Sequence, residues 1–571
     1  MPFLLVQDGE RFLAFEDPTQ VLVATAPGDV LAALASADAA LAAGRYVAGY
    51  LGYEAAAAFG LTTRPPDPDG PPLLWLGVFA PPREVSPPAA PLAASLPPAD
   101  WRPGLDAASH AAALARLHAL IEAGQTYQVN FTFQFASKLV EQPAELFARL
   151  FAVQRPRHAA YLDLGRFAIA SASPELFFER EGETLRARPM KGTAARGATP
   201  GADEALASAL RVSEKERAEN LMIVDMMRND LGRVADLGSV VVETLFDVER
   251  YPTLLQMTSS IRARSRAPLS RLFAALFPCA SVTGAPKART MEIVALHESR
   301  PRGVYTGTIG WAAPDGRARW NVAIRTAVAD RQRGTLVYGA GSGVVADSTA
   351  AGEYAECLLK ARVLEETPFA LVETLAFLPG EGFRRLEGHL ARLAASACHF
   401  GFRFDGVALE RALRETATAA AGNARVRLLL HGDGRVEVQA SPLPPPSARP
   451  LRVGLAARPV DPANPWLYHK TTRRAVYEEA RASRPDCDEA LLWNQRGEVT
   501  EASVANVILE LAGARVTPPV ACGLLPGVER ARALAEGRAR EAVVRLADLR
   551  QGAPIWLLSS LRGTREAVFV G

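Results

Sequence analysis

Six of the 64 basic side chains in this 571-residue chain are lysines, and the other 58 are arginines. A guanidinium group is effectively never deprotonated, whereas an amine can lose its proton and act as a nucleophile or form a Schiff base. Lysines that remain in such a chain are therefore candidates for chemistry that arginine cannot do. Two of them, Lys191 and Lys470, occur in segments with the composition of active sites. The other four are Lys138, Lys215, Lys287 and Lys360.

Two pairs of glutamates have a spacing that suits a metal site. Glu216 and Glu219 are three residues apart in a segment with helical periodicity, and Glu353 and Glu356 repeat this spacing before Lys360. Residues three or four apart share a helix face, so each pair can present its carboxylates toward one cleft. Mg²⁺ prefers oxygen ligands and leaves positions open for substrate. The simpler alternatives are a capping box at the first helix start and ordinary surface charge elsewhere.

Turns between these helices could bind an anionic substrate. Residues 189–193 and 281–287 contain glycine, and their backbone N–H groups could hold an anion. Arg325 lies in a strand-like run, where an unpaired guanidinium would be costly. A carboxylate ligand would satisfy it through a bidentate pair.

The elements that must position these side chains divide into two domains. Strand and helix patterns alternate until Thr367-Pro368, where a helical pattern ends and a new strand pattern begins at once. Pro-rich stretches at 64–98 and 441–446 predict a connector and a division of the second domain into two subdomains. The predicted parts are domain 1 at 1–366, comprising an N-terminal part at 1–100 and a motif-bearing part at 109–364, and domain 2 at 367–571.

Composition excludes several classes of function. The chain is 49% apolar and 22% charged, as expected of ordinary globular protein. A net charge of +2 without arginines interleaved with aromatics predicts no nucleic-acid partner. No apolar run approaches the ~18 residues of a membrane span, so no membrane association is expected. Five scattered cysteines predict reduced thiols and a cytoplasmic protein.

Seven motifs follow one another between residues 109 and 364. They are Tyr127-Gln-Val-Asn130, Ser173-Pro-Glu175, Pro189-Met-Lys-Gly-Thr193, Glu219-Asn-Leu-Met222 with Arg228-Asn-Asp230, Thr283-Gly-Ala-Pro-Lys287, Ile324-Arg-Thr326, and Gly341-Ser-Gly343 with Asp347-Ser348. In this order they resemble the chorismate-utilising enzymes, which include anthranilate synthase, aminodeoxychorismate synthase and isochorismate or salicylate synthases. The resemblance implies an α+β fold of two facing antiparallel sheets with outer helices.

Position 191 selects among these enzymes. Anthranilate synthases have a motif like Pro-Ile-Ala-Gly-Thr in place of residues 189–193, so they have Ala where this chain has Lys191. Aminodeoxychorismate synthases carry Lys at this position and use it as a nucleophile. Isochorismate-type members have a Lys near the position of Gln128. The resemblance implies that Lys191 attacks C2 of Mg²⁺-bound chorismate while Glu175 protonates the departing C4 hydroxyl. Ammonia then adds at C4 and expels Lys191.

Attack requires a neutral amine, so burial and nearby cations are expected to lower the pKa of Lys191. Many relatives have His where this chain has Gln256, and this difference fits an enzyme that stops at aminodeoxychorismate. No cysteine lies in the Gly-x-Cys-x-Gly setting of a glutaminase, so ammonia is expected from a separate glutamine amidotransferase subunit or from solution.

The same resemblance implies which residues bind metal and substrate. The expected Mg²⁺ ligands are Glu219 and Glu356, with Glu216 and Glu353 as second choices. The residues expected to bind chorismate are Thr283, Gly284, Arg325, Tyr305, Gly341, Gly343 and Lys360.

A second set of motifs occupies residues 370–571. They are His389-Leu-Ala-Arg392-Leu393, Trp466-Leu-Tyr-His-Lys470, Gly497-Glu-Val-Thr-Glu501 continuing to Asn506, Gly523-Leu-Leu-Pro-Gly527-Val-Glu-Arg530, and Ser559-Ser-Leu-Arg-Gly563. In this order they resemble the fold type IV pyridoxal-phosphate (PLP) enzymes, which include branched-chain and D-amino-acid aminotransferases and aminodeoxychorismate lyase. Those enzymes imply an α/β domain of two subdomains and a homodimer formed through it.

This second resemblance implies roles for individual residues. Lys470 would bind PLP covalently and later move a proton, and Glu501 would pair with the pyridinium nitrogen. The phosphate would be bound by Arg392, by the N–H groups at Gly527-Val528 that open a helix, and by the hydroxyl of Ser559 or Ser560.

Aminotransferases and the lyase share these motifs, so the second domain alone leaves its substrate open. A partner domain that makes 4-amino-4-deoxychorismate favours the lyase, which removes pyruvate and leaves 4-aminobenzoate for folate synthesis. The alternative is an anthranilate-type synthase domain fused to a branched-chain or D-amino-acid aminotransferase.

Overall fold

The computed structural model describes residues 2–88, 100–420, 422–443, 445 and 449–571. The chain divides into two compact units, of which the first comprises Met1–Ala195 with Ala207–Pro368 and the second Arg196–Leu206 with Phe369–Gly571. Segment Arg196–Leu206 therefore groups with the second unit, although the sequence placed it in domain 1. Residues 89–98 of the first Pro-rich stretch and residues 444 and 446 of the second lie outside the described residues.

The first unit contains two ten-stranded sheets in which every strand pair is antiparallel. The first sheet runs Gly284–Ala285, Gln128–Lys138, Thr335–Val344, Thr326–Asp330, Phe167–Ser173, His158–Asp163, Phe3–Asp8, Arg11–Glu16 and Arg83–Val85, with Arg102–Pro103 beside Gln128–Lys138. The second runs Met190–Ala195, Leu254–Arg264, Thr184–Arg188, Leu176–Glu181, Ala318–Asn321, Thr308–Ala312, Tyr46–Leu51, Leu74–Phe79 and Gln20–Ala24, with Val241–Arg250 beside Leu254–Arg264.

The two sheets face each other across an apolar core. Leu4 and Phe15 of the first sheet pack in one buried cluster with Tyr50 and Trp311 of the second. Side chains alternate between the faces of a strand, so the outer faces also need cover. Helices supply that cover in two further clusters. This arrangement confirms the predicted fold of facing antiparallel sheets with outer helices.

Helices of the chain up to residue 368 pack outside these sheets. The α-helices are Pro27–Ala42, Ala107–Glu122, Pro143–Gln154, Pro200–Val212, Glu214–Gly232, Leu269–Leu276, Lys287–His297 and Ala350–Ala361, and the 3₁₀ helices are Tyr53–Phe59, Ala280–Val282 and Arg362–Leu364. No helix of the described residues is both long and apolar enough to cross a bilayer.

The second unit is built on two sheets. The small one is antiparallel and runs Gly382–Phe383, Leu371–Leu378, Ala424–Leu430 and Val436–Pro442. The large one is mixed and runs Val499–Ala502, Glu489–Trp493, Leu451–Leu455, Gly563–Phe569, Pro554–Ser559, Asn506–Leu511, Ala514–Thr517 and Arg540–Glu541. Its helices are Leu386–Phe400, Gly406–Thr418, Ala475–Ala482 and Val528–Ala535, with 3₁₀ turns at Pro465–Leu467, Val520–Cys522 and Leu546–Asp548. Each sheet has its own apolar core, in agreement with two subdomains.

Candidate active sites

The first unit encloses a cavity of about 1100 Å³, including its open mouth. The predicted site residues that line it are Glu175, Lys191, Glu216, Glu219, Tyr305, Arg325, Gly341, Gly343, Glu353, Glu356 and Lys360. Strands of both sheets and two outer helices supply most of these side chains, so the fold brings together residues from five of the seven motifs.

Lys191 lies on strand Met190–Ala195 and contributes to the cavity wall. Its Nζ is 3.2 Å from Oε2 of Glu219. A Cβ built on Gly343 would lie 1.9 Å from this Nζ, so the amine occupies the space that a side chain at 343 would fill. Burial lowers the pKa of Lys191, but the attraction of Glu219 and Glu356 outweighs burial and raises it. The expected lowering is wrong, because the prediction counted burial and left out the facing carboxylates.

Glu175 is a buried carboxyl in the same cavity. Its Oε1 accepts a hydrogen bond of 3.3 Å from the N–H of Met190. Burial raises the pKa of Glu175 to about 7, against the opposing effects of the Ser281 hydroxyl, that N–H group and two lysines. A carboxyl with this pKa can hold a proton near neutral pH and donate it to a leaving group.

Four carboxylates enter this cavity from two helices. Glu216 and Glu219 share one helix, whose N-cap Ser213 accepts a hydrogen bond from the N–H of Glu216, and Glu353 and Glu356 share the other. One oxygen of Glu353 accepts a hydrogen bond of 2.6 Å from Ser348, and the other is buried without a partner. Within the described ranges, no group of three or more His, Cys, Asp or Glu side chains is arranged to hold a metal ion. Mg²⁺ needs only one or two protein carboxylates, because waters or substrate oxygens complete its coordination.

Arg325 is a buried cation beside these carboxylates. Its φ of 52° lies in the left-handed region, which is uncommon for a side chain of this size. The guanidinium donates a hydrogen bond of 3.1 Å to the carbonyl of Lys360 and forms no ion pair with any described residue. The amine of Lys360 is held by Oε1 of Glu356 and the carbonyl of Gly341, each at 2.7 Å. Arg325 therefore remains available to bind an anion, as the sequence predicted.

The Thr283-Gly284 turn lies behind the cavity wall. The hydroxyl of Thr283 donates a hydrogen bond of 3.1 Å to the carbonyl of Ala280, and Gly284 pairs with Val129 at the edge of the first sheet. Ser281 and Val282, which precede this turn, line the cavity instead. The structure does not bring the predicted turn into the site.

Lys287, the last residue of the Thr283-Gly-Ala-Pro-Lys287 motif, forms a structural ion pair. Its Nζ lies 2.5 Å from Oδ2 of Asp230 and also donates to two backbone carbonyls, at 3.2 and 2.8 Å. Both side chains are largely buried. The pair links the end of helix Glu214–Gly232 to the start of helix Lys287–His297.

Three polar residues that hold Lys191 in place were not predicted as site residues. Asn220 donates a hydrogen bond of 3.1 Å to the carbonyl of Lys191, and Ser259 donates one of 2.6 Å to the Asn220 side chain. Gln256, which the sequence singled out only as a difference from relatives, donates a hydrogen bond of 2.8 Å to the carbonyl of Gly192. Asn220 follows Glu219 in a quoted motif, whereas Ser259 carries no local sequence signal.

The second unit has its own cavity of about 1740 Å³, including its mouth. All the residues predicted to bind PLP line it, namely Arg392, Lys470, Glu501, Gly527, Val528, Ser559 and Ser560. Lys470 follows the 3₁₀ turn Pro465–Leu467.

Lys470 is a partly buried amine in cationic surroundings. Burial, together with Arg392 and Arg474, lowers its pKa to about 8 against the opposing effect of two carboxylates. The amine can therefore exist in its neutral form near physiological pH, which covalent bonding to a carbonyl requires.

Glu501 is held by three hydrogen bonds. Its Oε1 accepts from the Tyr477 hydroxyl at 2.9 Å and from the N–H of Leu525 at 3.0 Å, and Oε2 accepts from Asn506 at 3.0 Å. Burial raises its pKa to about 7 despite these donors. Such a carboxyl can share a proton with a ring nitrogen, as the prediction for Glu501 requires.

Arg392 is anchored by a carboxylate that the sequence did not reveal. Its Nε and one terminal nitrogen donate to the two oxygens of Glu373 at 2.9 and 2.7 Å. His389 also contacts Glu373 at 2.6 Å. These neighbours lower the pKa of Glu373 to about 2 although burial opposes them. The remaining terminal nitrogen of Arg392 donates a hydrogen bond of 3.5 Å to the carbonyl of Pro526 and contacts no carboxylate of the described residues.

The predicted phosphate-binding turn opens a helix. Gly527 is the N-cap of helix Val528–Ala535. A Cβ at Gly527 would lie 1.8 Å from Oδ1 of Asn506, so only glycine fits there. The N–H groups of a helix start favour a phosphate, and Ser559 and Ser560 line the same cavity.

Two family models match adjacent parts of the chain. Residues 7–366 match the model of chorismate binding enzymes, and residues 370–568 match that of class IV amino-transferases. The first match covers more than half of the chain.

Curated sequence relatives match less than half of the chain. An aminodeoxychorismate synthase of Streptomyces griseus is 45% identical over 248 residues, which are 43% of this chain and 34% of that protein. Anthranilate synthase component 1 1 of Haloarcula marismortui is 42% identical over 246 residues, which are 43% of this chain and 50% of that protein. The chain thus spans between about a third and a half of the length of these curated relatives.

A solved structure shares the fold of the first unit. Anthranilate synthase component I from Streptococcus pneumoniae TIGR4 covers 64% of this chain and 92% of its own, with a TM-score of 0.56 and 22% identity. The percentage identities to these relatives do not distinguish an aminodeoxychorismate synthase from an anthranilate synthase.

Proposed function

Because this chain belongs to the family of chorismate binding enzymes, we propose that its first unit aminates chorismate at C4 to give 4-amino-4-deoxychorismate. The observation that carries the proposal is the amine of Lys191 in one cavity with the protonatable carboxyl of Glu175 and the unpaired guanidinium of Arg325. An anthranilate-type enzyme would have no amine at position 191.

The proposed reaction uses Lys191 and Glu175 in two displacement steps. The neutral Lys191 nitrogen forms a bond to C2 of chorismate, both conjugated ring double bonds shift, and the C4 hydroxyl leaves as water with the proton from Glu175. Ammonia then forms a bond to C4, both double bonds shift back, and the C2 bond to Lys191 breaks. The proton that the new C4 ammonium group loses returns to Glu175. Covalent catalysis replaces one difficult displacement by two easier ones. Arg325 binds a substrate carboxylate and fixes the ring in the cavity.

The carboxylates of the cavity support a Mg²⁺ site. Glu219 and Glu356 are the proposed ligands, with Glu216 and Glu353 next to them, and the unpartnered buried oxygen of Glu353 fits a site that needs a cation. When bound, Mg²⁺ supplies positive charge that offsets the carboxylates and binds substrate oxygens. In its absence these same carboxylates hold Lys191 as an ammonium ion.

We further propose that the second unit converts 4-amino-4-deoxychorismate to 4-aminobenzoate and pyruvate. The lowered pKa of Lys470, the three donors on Glu501 and the helix start at Val528 support a PLP site. When bound, PLP supplies an electron sink for the substrate amine. Lys470 would hold the cofactor and then move a proton, while Glu501 keeps the ring nitrogen protonated.

Ammonia is proposed to come from a separate glutamine amidotransferase. A second copy of the chain is proposed to form a homodimer through the second unit, on the resemblance alone.

Two lysine variants test the assignments separately. Lys191→Ala is expected to lose amination of chorismate with ammonia and Mg²⁺ while it keeps the visible absorption of bound PLP. Lys470→Ala is expected to lose that absorption and to accumulate 4-amino-4-deoxychorismate. Amination at the wild-type rate by Lys191→Ala would rule out the covalent mechanism. A wild-type protein that never binds PLP would rule out the proposed lyase activity.

The remaining candidate is an anthranilate-type synthase fused to an amino-acid aminotransferase. The 42% identity to an anthranilate synthase component is the observation in its favour. It predicts anthranilate as the aromatic product and transfer of an amino group to a 2-oxo acid without release of pyruvate from aminodeoxychorismate.

A further inference from the structure

The cavity of the second unit is strongly cationic. Eight lysine or arginine side chains line it, against three carboxylates. The cations are Arg392, Arg425, Arg427, Lys470, Arg473, Arg474, Arg562 and Arg565, and the carboxylates are Glu489, Glu501 and Glu529. The predicted PLP site uses only part of this set.

Arg425 and Arg427 are the lining cations that the small sheet supplies. They alternate along strand Ala424–Leu430 with Val426 and Leu428, which are fully buried in the core of that subdomain. Side chains two apart on a strand share a face, so both guanidinium groups are presented on the cavity side. Both residues are exposed, and neither forms an ion pair with any described residue.

The proposed phosphate site lies on other elements. The helix start at Val528 and the hydroxyls of Ser559 and Ser560 belong to the large subdomain, and Arg392 lies on helix Leu386–Phe400. A phosphate carries about two negative charges, which a helix start and a guanidinium group can bind. Arg425 and Arg427 therefore have no assigned anion.

Two adjacent unpaired guanidinium groups repel each other, and an anion with two negative charges removes this repulsion when it binds to both. 4-Amino-4-deoxychorismate carries two carboxylates, one on the ring and one on the enolpyruvyl group. An apolar amino acid carries one carboxylate and, with its ammonium group, no net charge. The charge of the cavity thus distinguishes the two kinds of substrate that the cofactor-binding residues leave open.

We propose that Arg425 and Arg427 bind the carboxylates of a dicarboxylate substrate and so set the specificity of the second unit. This inference rests on the proposed lyase function. It has a consequence for turnover, because cleavage places the two carboxylates on separate products. Each product then has only part of the contacts of the substrate, which favours its release.

The test uses the full-length protein loaded with PLP and supplied with 4-amino-4-deoxychorismate. Arg425→Gln and Arg427→Gln should each raise KM by about tenfold or more, since each removes a charged hydrogen-bond partner. The PLP affinity and absorption should stay unchanged, and Arg427→Lys should recover part of the loss. Arg414→Gln is the matched control, because Arg414 pairs with Glu410 on a helix of the same subdomain and lies outside the described lining.

Three outcomes would overturn the inference. An unchanged KM in the double variant would show that the pair does not bind substrate. A loss of PLP affinity in place of a raised KM would assign both arginines to the cofactor. A wild-type holoenzyme that releases no pyruvate from 4-amino-4-deoxychorismate would remove the proposed lyase function itself, and with it the premise.

Discussion

The two lysines that the sequence singled out have opposite electrostatic environments. Carboxylates raise the pKa of Lys191, whereas burial and two arginines lower that of Lys470 to about 8. The sequence predicts both amines, because an arginine-rich chain makes each surviving lysine conspicuous. It does not predict the sign of the Lys191 shift, which depends on Glu219 and Glu356 from distant parts of the chain.

Glu175 should impose an alkaline limit on amination. Its pKa of about 7 means that the proton donor is present below neutral pH and is lost as the pH rises through 7. The kcat for amination should therefore fall above about pH 7 in the wild type. Glu175→Gln should lower kcat by about 100-fold to 10,000-fold, as expected for loss of a general acid, and remove this pH step.

Steady-state rates from pH 6 to 9 with saturating chorismate check this. Glu145→Gln, which changes an exposed glutamate of an outer helix, is the control and should keep the wild-type profile. An unchanged alkaline step in Glu175→Gln would assign the titration to another group.

At the scale of elements, local patterns were predictable and long-range contacts were not. Periodicity and a serine cap predicted a helix from 213 to 230, and the structure has Glu214–Gly232 with that cap. The helix start at Val528 was likewise predicted from its turn residues. The anchoring of Arg392 by Glu373 could not be predicted, because hydrogen bonding across the small subdomain leaves no spacing pattern.

Strand Thr335–Val344 should tolerate no side chain at position 343. A Cβ would lie 1.9 Å from Nζ of Lys191, so Gly343→Ala must displace the amine from its place in the cavity. We expect amination to fall by about 100-fold, since misplacement of a reacting group by ~1 Å has this cost. PLP absorption should be unaffected.

Gly28→Ala is the control for this change, because nothing lies within 4 Å of the new Cβ and the position is in the first turn of a helix. It should keep full activity. Equal rates for Gly343→Ala and the wild type would mean that Lys191 does not react from the observed position.

The ion pair between Lys287 and Asp230 should act through stability. Lys287→Met leaves the largely buried Asp230 carboxylate without its cation, so the free energy of unfolding should fall by about 3–5 kcal/mol. Asp230→Asn added to Lys287→Met should restore much of the loss, because the uncompensated charge is gone.

Denaturant unfolding of the first unit, followed for the single and double variants, measures this difference. If Lys287→Met unfolds like the wild type while its KM for chorismate rises strongly, then Lys287 binds substrate and the structural assignment is wrong.

At the scale of the whole molecule, each cavity lies entirely within one unit. The sequence located the change of unit near residue 367, because a Pro follows a helix and a strand pattern begins there. Segment Arg196–Leu206 could not be assigned from the sequence, since its grouping depends on tertiary contacts and its local pattern is only helical.

Two inactive variants should therefore complement each other in solution. Lys191→Ala and Lys470→Ala, mixed with chorismate, ammonia, Mg²⁺ and PLP, should together form 4-aminobenzoate although neither does alone. The rate should depend on the concentration of the second variant, because the intermediate must pass between molecules. No product from the mixture, with 4-amino-4-deoxychorismate accumulating, would show that each chain must process its own intermediate.

Product identification tests the central claim most directly. The wild-type protein with PLP, Mg²⁺, chorismate and ammonia should release 4-aminobenzoate and pyruvate in equal amounts. Liquid chromatography with authentic standards separates 4-aminobenzoate from its 2-amino isomer. Anthranilate as the aromatic product would contradict the assignment of Lys191, and 4-amino-4-deoxychorismate as the end product would contradict that of Lys470.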